Sequence, residues 1–129
     1  MVNAITKILL IDSHVLIREG LKLIFESNIG HVTFGEAGSN GDALALAREQ
    51  DWDAVILEPF SGGATLEALV QIKASRPYLP VVIFTLNSES EYSEQALALG
   101  ADGFIAKDRS VAEILQRFSN IMEVAANRS

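Results

Sequence analysis

Short apolar runs alternate five times along this chain with longer segments whose apolar residues recur at helical spacing. Four or five apolar residues that end at a turn former are typical of a strand buried on both faces. Such strands belong to parallel sheets covered by helices, so the alternation predicts an α/β fold. The strands are predicted at residues 7–11, 31–37, 53–57, 81–84 and 103–106, the second of them at an edge of the sheet.

Helices are predicted between and after these strands. Ser13 is expected to cap the first helix and Ser110 the last, since a serine hydroxyl accepts a hydrogen bond from the first turn. Arg76-Pro77 ends the third helix, and Gly100 closes the fourth. The helices are predicted from residue 13 to about 27, from 40 or 41 onward, at 65–75, at 89–99 and from 110 through 125. Residues expected to face the core include Leu16, Val70 and Val111.

Five such units with right-handed crossovers give a doubly wound parallel sheet with helices on both faces. The expected strand order is 2-1-3-4-5, the flavodoxin-like order, whose switch point lies between the first and third strands. Asp12, Ser13 and Glu58 follow those two strands and are expected to meet there. Thr85 and Lys107 follow the next two strands on the same rim. The sequence therefore predicts two acids, two hydroxyls and one lysine around a single crevice.

Composition narrows the class of protein. The chain has 129 residues and a formal net charge of −7. This length suits one domain with a sizeable core, predicted at residues 1–124, with residues 125–129 as a tail or the start of a linker. The negative charge argues against direct binding of nucleic acid or of an anionic membrane. The absence of cysteine excludes thiolate metal sites and fits a cytoplasmic protein.

Several stretches carry a close resemblance to a known family. They are KILLIDSH with VLIREGLKLIFE, then DAVILE, VVIFT and ALGADGFIAK, of which the last is highly specific. From end to end the chain resembles a response regulator receiver domain. Its DSH and REGL sequences resemble the subclass that usually carries a LuxR-type helix-turn-helix after the receiver. The resemblance implies two-component (phosphorelay) signal transduction and transcription regulation.

The same resemblance implies partners and residue roles. The partner would be a histidine kinase or a downstream effector, and DNA would be bound through a C-terminal helix-turn-helix if this chain is a fragment. In the family, acids after the first strand help to hold Mg²⁺, and an aspartate after the third strand accepts the phosphoryl group. Asp12 matches the first acid, Thr85 the hydroxyl that contacts the phosphate, Lys107 the lysine that pairs with it, and Phe104 the switch aromatic.

Two positions depart from the family pattern. Glu58 stands at the phosphoacceptor position, and its carboxylate reaches up to ~1.5 Å further than that of aspartate, an error that in-line transfer does not tolerate. Ser13 stands in place of the second acid and removes a charge that a hard cation requires. We therefore expect a pseudo-receiver with no catalytic residue, no cofactor and no metal ligand. At most, Asp12 and Glu58 would bind Mg²⁺ weakly.

Glu58 has two interpretations. With Lys107 as its ion partner it would bias the domain toward an active-like conformation, although its single charge is less than the roughly −1.5 to −2 of a phosphate. Alternatively, it is an inert relic paired with the same lysine. On either interpretation the chain is predicted to be a signalling module and no enzyme.

Two other functions remain open. One is a Mg²⁺-dependent phosphoacceptor switch that uses a non-standard acidic residue. The other is a flavodoxin-like enzyme or FMN binder, which needs a hydroxyl- and glycine-rich phosphate loop after the first strand and, for catalysis, a nucleophile–base pair. The sequence DSHVLI is not such a loop, so the last alternative is disfavoured.

A homodimer is the final expectation. The last two helices and the fifth strand form one candidate face, on which acidic residues oppose Arg109 and Arg117 and would allow reciprocal ion pairs. The first and last helices form a rival face, and the sequence does not choose between them. The acidic residues are Glu89, Glu91 and Glu94.

Overall fold

The structure of the protein, a computed structural model, describes residues 6–58, 64–85 and 91–127. Strands and helices alternate as the sequence predicts. The strands are β1 Thr6–Ile11, β2 Val32–Ala37, β3 Ala54–Leu57, β4 Val81–Thr85 and β5 Gly103–Ala106. The helices are α1 Val15–Asn28, α2 Asn40–Glu49, α3 Ala64–Ser75, α4 Glu91–Ala98 and α5 Val111–Ala126.

All five strands pair in parallel in the order β2-β1-β3-β4-β5. The predicted doubly wound sheet and its strand order are therefore confirmed, and so is the edge position of β2. The register aligns Ile11 with both Ala37 and Leu57, and Thr85 with Ala106. The carboxyl ends of the strands consequently lie at one rim of the sheet, where β4 and β5 extend further than β3, because Leu57 pairs with Ile83.

Alternate strand residues enter two apolar layers, one on each face of the sheet. On one face, alternate strand residues pack with α2, α3 and α4 and form what we call the α2–α4 layer. On the opposite face, the intervening strand residues pack with α1 and α5 and form the α1/α5 layer. In the latter, the rings of Phe25 and Phe118 meet edge to face with centroids 4.9 Å apart. Side chains in such layers account for most of the stabilisation of the fold.

Two glycines permit close approach of a neighbour. A Cβ at Gly35 would lie 2.3 Å from the Trp52 ring, and one at Gly103 would lie 2.6 Å from Cδ1 of Ile121. Gly100, the predicted helix terminator, has φ of +110°, a backbone conformation that suits glycine.

The two predicted serine caps have different outcomes. Ser110 caps α5 and shares a reciprocal capping box with Glu113, as expected. Ser13 does not cap α1, because the helix begins only at Val15 and its N-cap, His14, makes no side-chain cap. Asp12 accepts the backbone N–H of His14 instead.

Three apolar residues expected in the core are exposed. Leu16 is 85% exposed, and Val70 and Val111 are about half exposed. Helical spacing defines a broad stripe, and these residues lie at its margins, beyond the reach of the sheet. The predicted start of the fourth helix at residue 89 lies outside the described residues, and α5 continues to Ala126, into the segment predicted as a tail.

Within the described part of the chain, no helix is long and apolar enough to cross a membrane.

Candidate functional site

Three charged side chains meet at the rim where the strands end. Nζ of Lys107 lies 3.1 Å from Oδ2 of Asp12 and 3.2 Å from Oε1 of Glu58. These side chains are only 6%, 4% and 14% exposed, respectively. We call this group the ion cluster. It contains two carboxylates and a single ammonium in a setting where little water screens the charges.

The sheet positions all three residues. The backbone N–H of Asp12 donates to Ala37, and that of Glu58 donates to Ile11, so both acids leave the rim in register with their neighbours. The N–H of Lys107 donates to the carbonyl of Thr85 in the same way. The predicted meeting of Asp12, Glu58 and Lys107 follows from parallel pairing, since strand ends that are distant in sequence share one edge.

Several hydrogen bonds fix the position of Asp12. Its Oδ1 accepts the backbone N–H of His14 at 2.8 Å and lies 2.9 Å from the imidazole Nδ1. The guanidinium of Arg18 donates to the Asp12 carbonyl and is itself paired with Glu36 at 3.0 Å. The loop after β1 is therefore tied both to α1 and to β2.

The sequence does not predict that His14 and Arg18 contact Asp12 and stabilise its position. The sequence presents His14 as a surface residue, which agrees with its 64% exposed side chain but not with its contact to Asp12. The sequence presents Arg18 only as part of the REGL motif. The turn of the chain between Asp12 and Val15 brings both residues back to the acid, and no spacing rule predicts that turn.

Glu58 is the electrostatically strained member of the ion cluster. Burial raises the pKa of its carboxyl group, and the attraction of Lys107 only partly opposes this rise. Its Oε2 is buried and has no hydrogen-bond partner among residues 6–58, 64–85 and 91–127. An unsatisfied buried acceptor disfavours the ionised state, so the fold holds this carboxylate at some expense in stability.

The other predicted site residues lie nearby in different surroundings. Ser13 is exposed. Thr85 is half-buried at the end of β4, where its carbonyl accepts from Lys107. Phe104 is half-buried on β5 and packs against the α2–α4 layer.

The residues at this rim do not fit a Mg²⁺ site. Among residues 6–58, 64–85 and 91–127, no group of three or more histidine, aspartate or glutamate side chains is arranged to hold a metal ion. Both acids of the ion cluster already contact Lys107, and Ser13 offers a neutral hydroxyl where a carboxylate ligand would be required.

Comparisons with known proteins agree with this geometry. The sequence matches the family model of the response regulator receiver domain over residues 8–119. It is 35% identical over 105 residues to the transcriptional regulatory protein YdfI of Bacillus subtilis (strain 168), covering 81% of this chain and 49% of that protein. It is 30% identical over 118 residues to the response regulator GacA of Pseudomonas aeruginosa, covering 89% of this chain and 54% of GacA. The chain spans about half the length of the curated relatives it matches.

A solved structure is similar as well. A LuxR family DNA-binding response regulator from Silicibacter pomeroyi superposes with a TM-score of 0.78 at 30% sequence identity, covering 92% of each chain. The sequence and the fold therefore point to the same family.

Proposed function

This chain belongs to the response regulator receiver domain family, and we propose that it is an atypical receiver whose signalling does not require phosphorylation. In this proposal it acts in the cytoplasm in two-component-type signal transduction and transcription regulation. Its relatives include one named a transcriptional regulatory protein and one named a response regulator, each about twice its length. DNA contact would come from a C-terminal helix-turn-helix rather than from this acidic domain.

The ion cluster is the observation that carries the proposal. A phosphoacceptor must present a carboxylate oxygen in line with the incoming phosphorus. Oε1 of Glu58 contacts Lys107, and Oε2 is buried. The buried Oε2 is closed to an incoming phosphoryl group, and the ion pair with Lys107 holds Oε1 in its place. Ser13 contributes no charge toward the cation that would neutralise the phosphoryl group.

The Glu58–Lys107 contact also supports an active-like state. In a phosphorylated receiver this lysine would pair with the phosphoryl group, and here it pairs with the longer carboxylate at 3.2 Å. The proposed partners are a histidine kinase or a downstream effector, together with a second copy of this chain. Protein contacts, rather than a chemical step, would then transmit the signal.

Intact mass after incubation with acetyl phosphate tests phosphorylation directly. We expect no added phosphoryl group on the parent protein, with or without Mg²⁺. The Ser13→Asp/Glu58→Asp double variant should gain one group only when Mg²⁺ is present, and Ser13→Asp alone is the matched control. Phosphorylation of the parent that depends on Mg²⁺ would contradict the proposal and favour a switch with a non-standard acceptor.

A separate comparison tests the active-like state. Glu58→Gln removes the charge while keeping the length of the side chain, and Glu58→Asp keeps the charge while shortening it. If the charge matters, self-association or kinase-independent output should fall in Glu58→Gln. Equal behaviour of Glu58→Gln and the parent would instead identify Glu58 as an inert relic.

A further inference from the structure

Arg117 of α5 contacts Phe104 of β5 in two ways. Its guanidinium carbon lies 5.8 Å from the centroid of the Phe104 ring, within cation–π distance. Its NH2 group donates a hydrogen bond of 3.1 Å to the carbonyl oxygen of Phe104. One side chain thus contacts both the ring and the backbone of the residue predicted as the switch aromatic. We call this pair of contacts the Arg117 latch.

The latch crosses the open edge of the sheet. The ring of Phe104 packs in the α2–α4 layer, whereas the next residue, Ile105, packs in the α1/α5 layer. Because β5 is an edge strand, no other strand of the described residues pairs with its outer side. Arg117 starts from α5 on one face and reaches the ring on the other. It also satisfies a carbonyl at an edge that would otherwise face water.

The neighbouring charges leave Arg117 available for this role. A cavity of about 300 Å³ beside the latch is lined by Phe104, Ala106, Arg109, Glu113 and Arg117. The acid of this cavity, Glu113, lies 3.5 Å from Arg109 and belongs to the capping box of α5. The cavity also offers space beside the ring.

We infer that Arg117 is a positioning residue that holds the Phe104 ring in its present place and couples that ring to α5. The functional part of this inference rests on the proposed function as a receiver, in which the family resemblance implies that Phe104 is the switch aromatic. Any displacement of the ring first requires the guanidinium to leave it. A partner that binds the exposed guanidinium would therefore release the ring, and a displaced ring would in turn free the guanidinium of Arg117 for such a partner.

Fluorine NMR of the protein labelled with 4-fluorophenylalanine tests the latch. The chain has six phenylalanines, and Phe104→Leu identifies the resonance of residue 104. In Arg117→Met, which keeps most of the aliphatic stem, relaxation dispersion should show about a two- to fivefold rise in the minor ring position, as expected for loss of one exposed cation–π contact. Arg117→Lys keeps the positive charge but lacks the planar fork, so its rise should be smaller than that of Arg117→Met.

Arg109→Met/Glu113→Gln is the matched control, because it removes the same charge from the same cavity together with the carboxylate that Arg109 would otherwise leave free to pair with Arg117. It should leave the population at residue 104 unchanged. An unchanged population in Arg117→Met, or an equal rise in Arg109→Met/Glu113→Gln, would overturn the inference. A change spread over all six resonances, or failure of both Arg117 variants to fold, would show instead that Arg117 supports the fold in general. The measurement needs no phosphoryl donor, so its outcome is independent of the acetyl phosphate test.

Discussion

Replacing Lys107 by methionine tests whether the ion cluster is held by charge. Methionine keeps much of the apolar volume of the side chain and removes the ammonium. Asp12 and Glu58 would then face each other with no cation between them, although Asp12 keeps the N–H of His14. Because the side chains of these two carboxylates are only 4% and 14% exposed, hydration cannot replace the lost attraction of the ammonium.

The size of the effect follows from the burial of the pair. Removing one partner of a buried ion pair costs about 3–5 kcal/mol. We expect the low end, about 3 kcal/mol, because Glu58 is the less buried acid and can take up a proton. For a domain of this length, 1 kcal/mol corresponds to roughly 3–5 °C, so the melting temperature should fall by about 10 °C.

Urea unfolding followed by tryptophan fluorescence measures the loss. The single tryptophan, Trp52, is buried, and its indole N–H donates to the carbonyl of Leu46 at 2.9 Å, so unfolding changes its surroundings. The deficit of Lys107→Met should grow from pH 4 to pH 7, because Lys107 favours the ionised form of Glu58 and this form prevails only at higher pH.

A double variant separates charge from packing. Lys107→Met/Glu58→Gln removes one of the two stranded charges and should recover part of the lost stability. If the double variant is as unstable as Lys107→Met, or if the deficit is the same at pH 4 and pH 7, the loss comes from packing and the electrostatic argument is wrong.

Two further predictions concern Glu58 and Gly103. Because burial raises the pKa of Glu58, the folded state holds more protons than the unfolded state between the ordinary and the raised pKa, and this residue's contribution to stability falls as pH rises through that window. In urea unfolding, the stability of Glu58→Gln relative to the parent should therefore increase as the pH rises from 4 to 7. A stability difference that stays constant over this range would contradict the prediction. Gly103→Ala places a Cβ 2.6 Å from Ile121 and should destabilise by about 1–3 kcal/mol. Adding Ile121→Val, which removes the closest atom, should reduce that loss in thermal unfolding, and no recovery would point to backbone strain instead.

Sequence patterns are sufficient to predict the order of the elements and the place of the site. Buried runs that end in Asp12, Glu58, Thr85 and Lys107 predict strands, and the rules of parallel connection bring their carboxyl ends to one rim. The substitutions Glu58 and Ser13 could also be read directly, because they depart from a recognisable motif. These inferences depend only on local pattern and on general rules of topology.

The distances between side chains and the charge environment of the site depend on the tertiary structure. Residues 12 and 107 are 95 positions apart, and only the folded sheet fixes the distance between their charged atoms. The raised pKa of Glu58, the support of Asp12 by Arg18 and the reach of Arg117 around β5 to Phe104 depend on burial and on side-chain conformations. Apolar spacing also predicts that Leu16 lies in the core, whereas it is exposed in the structure. Spacing identifies the face of a helix, but which residues on that face are covered depends on the elements packed against it.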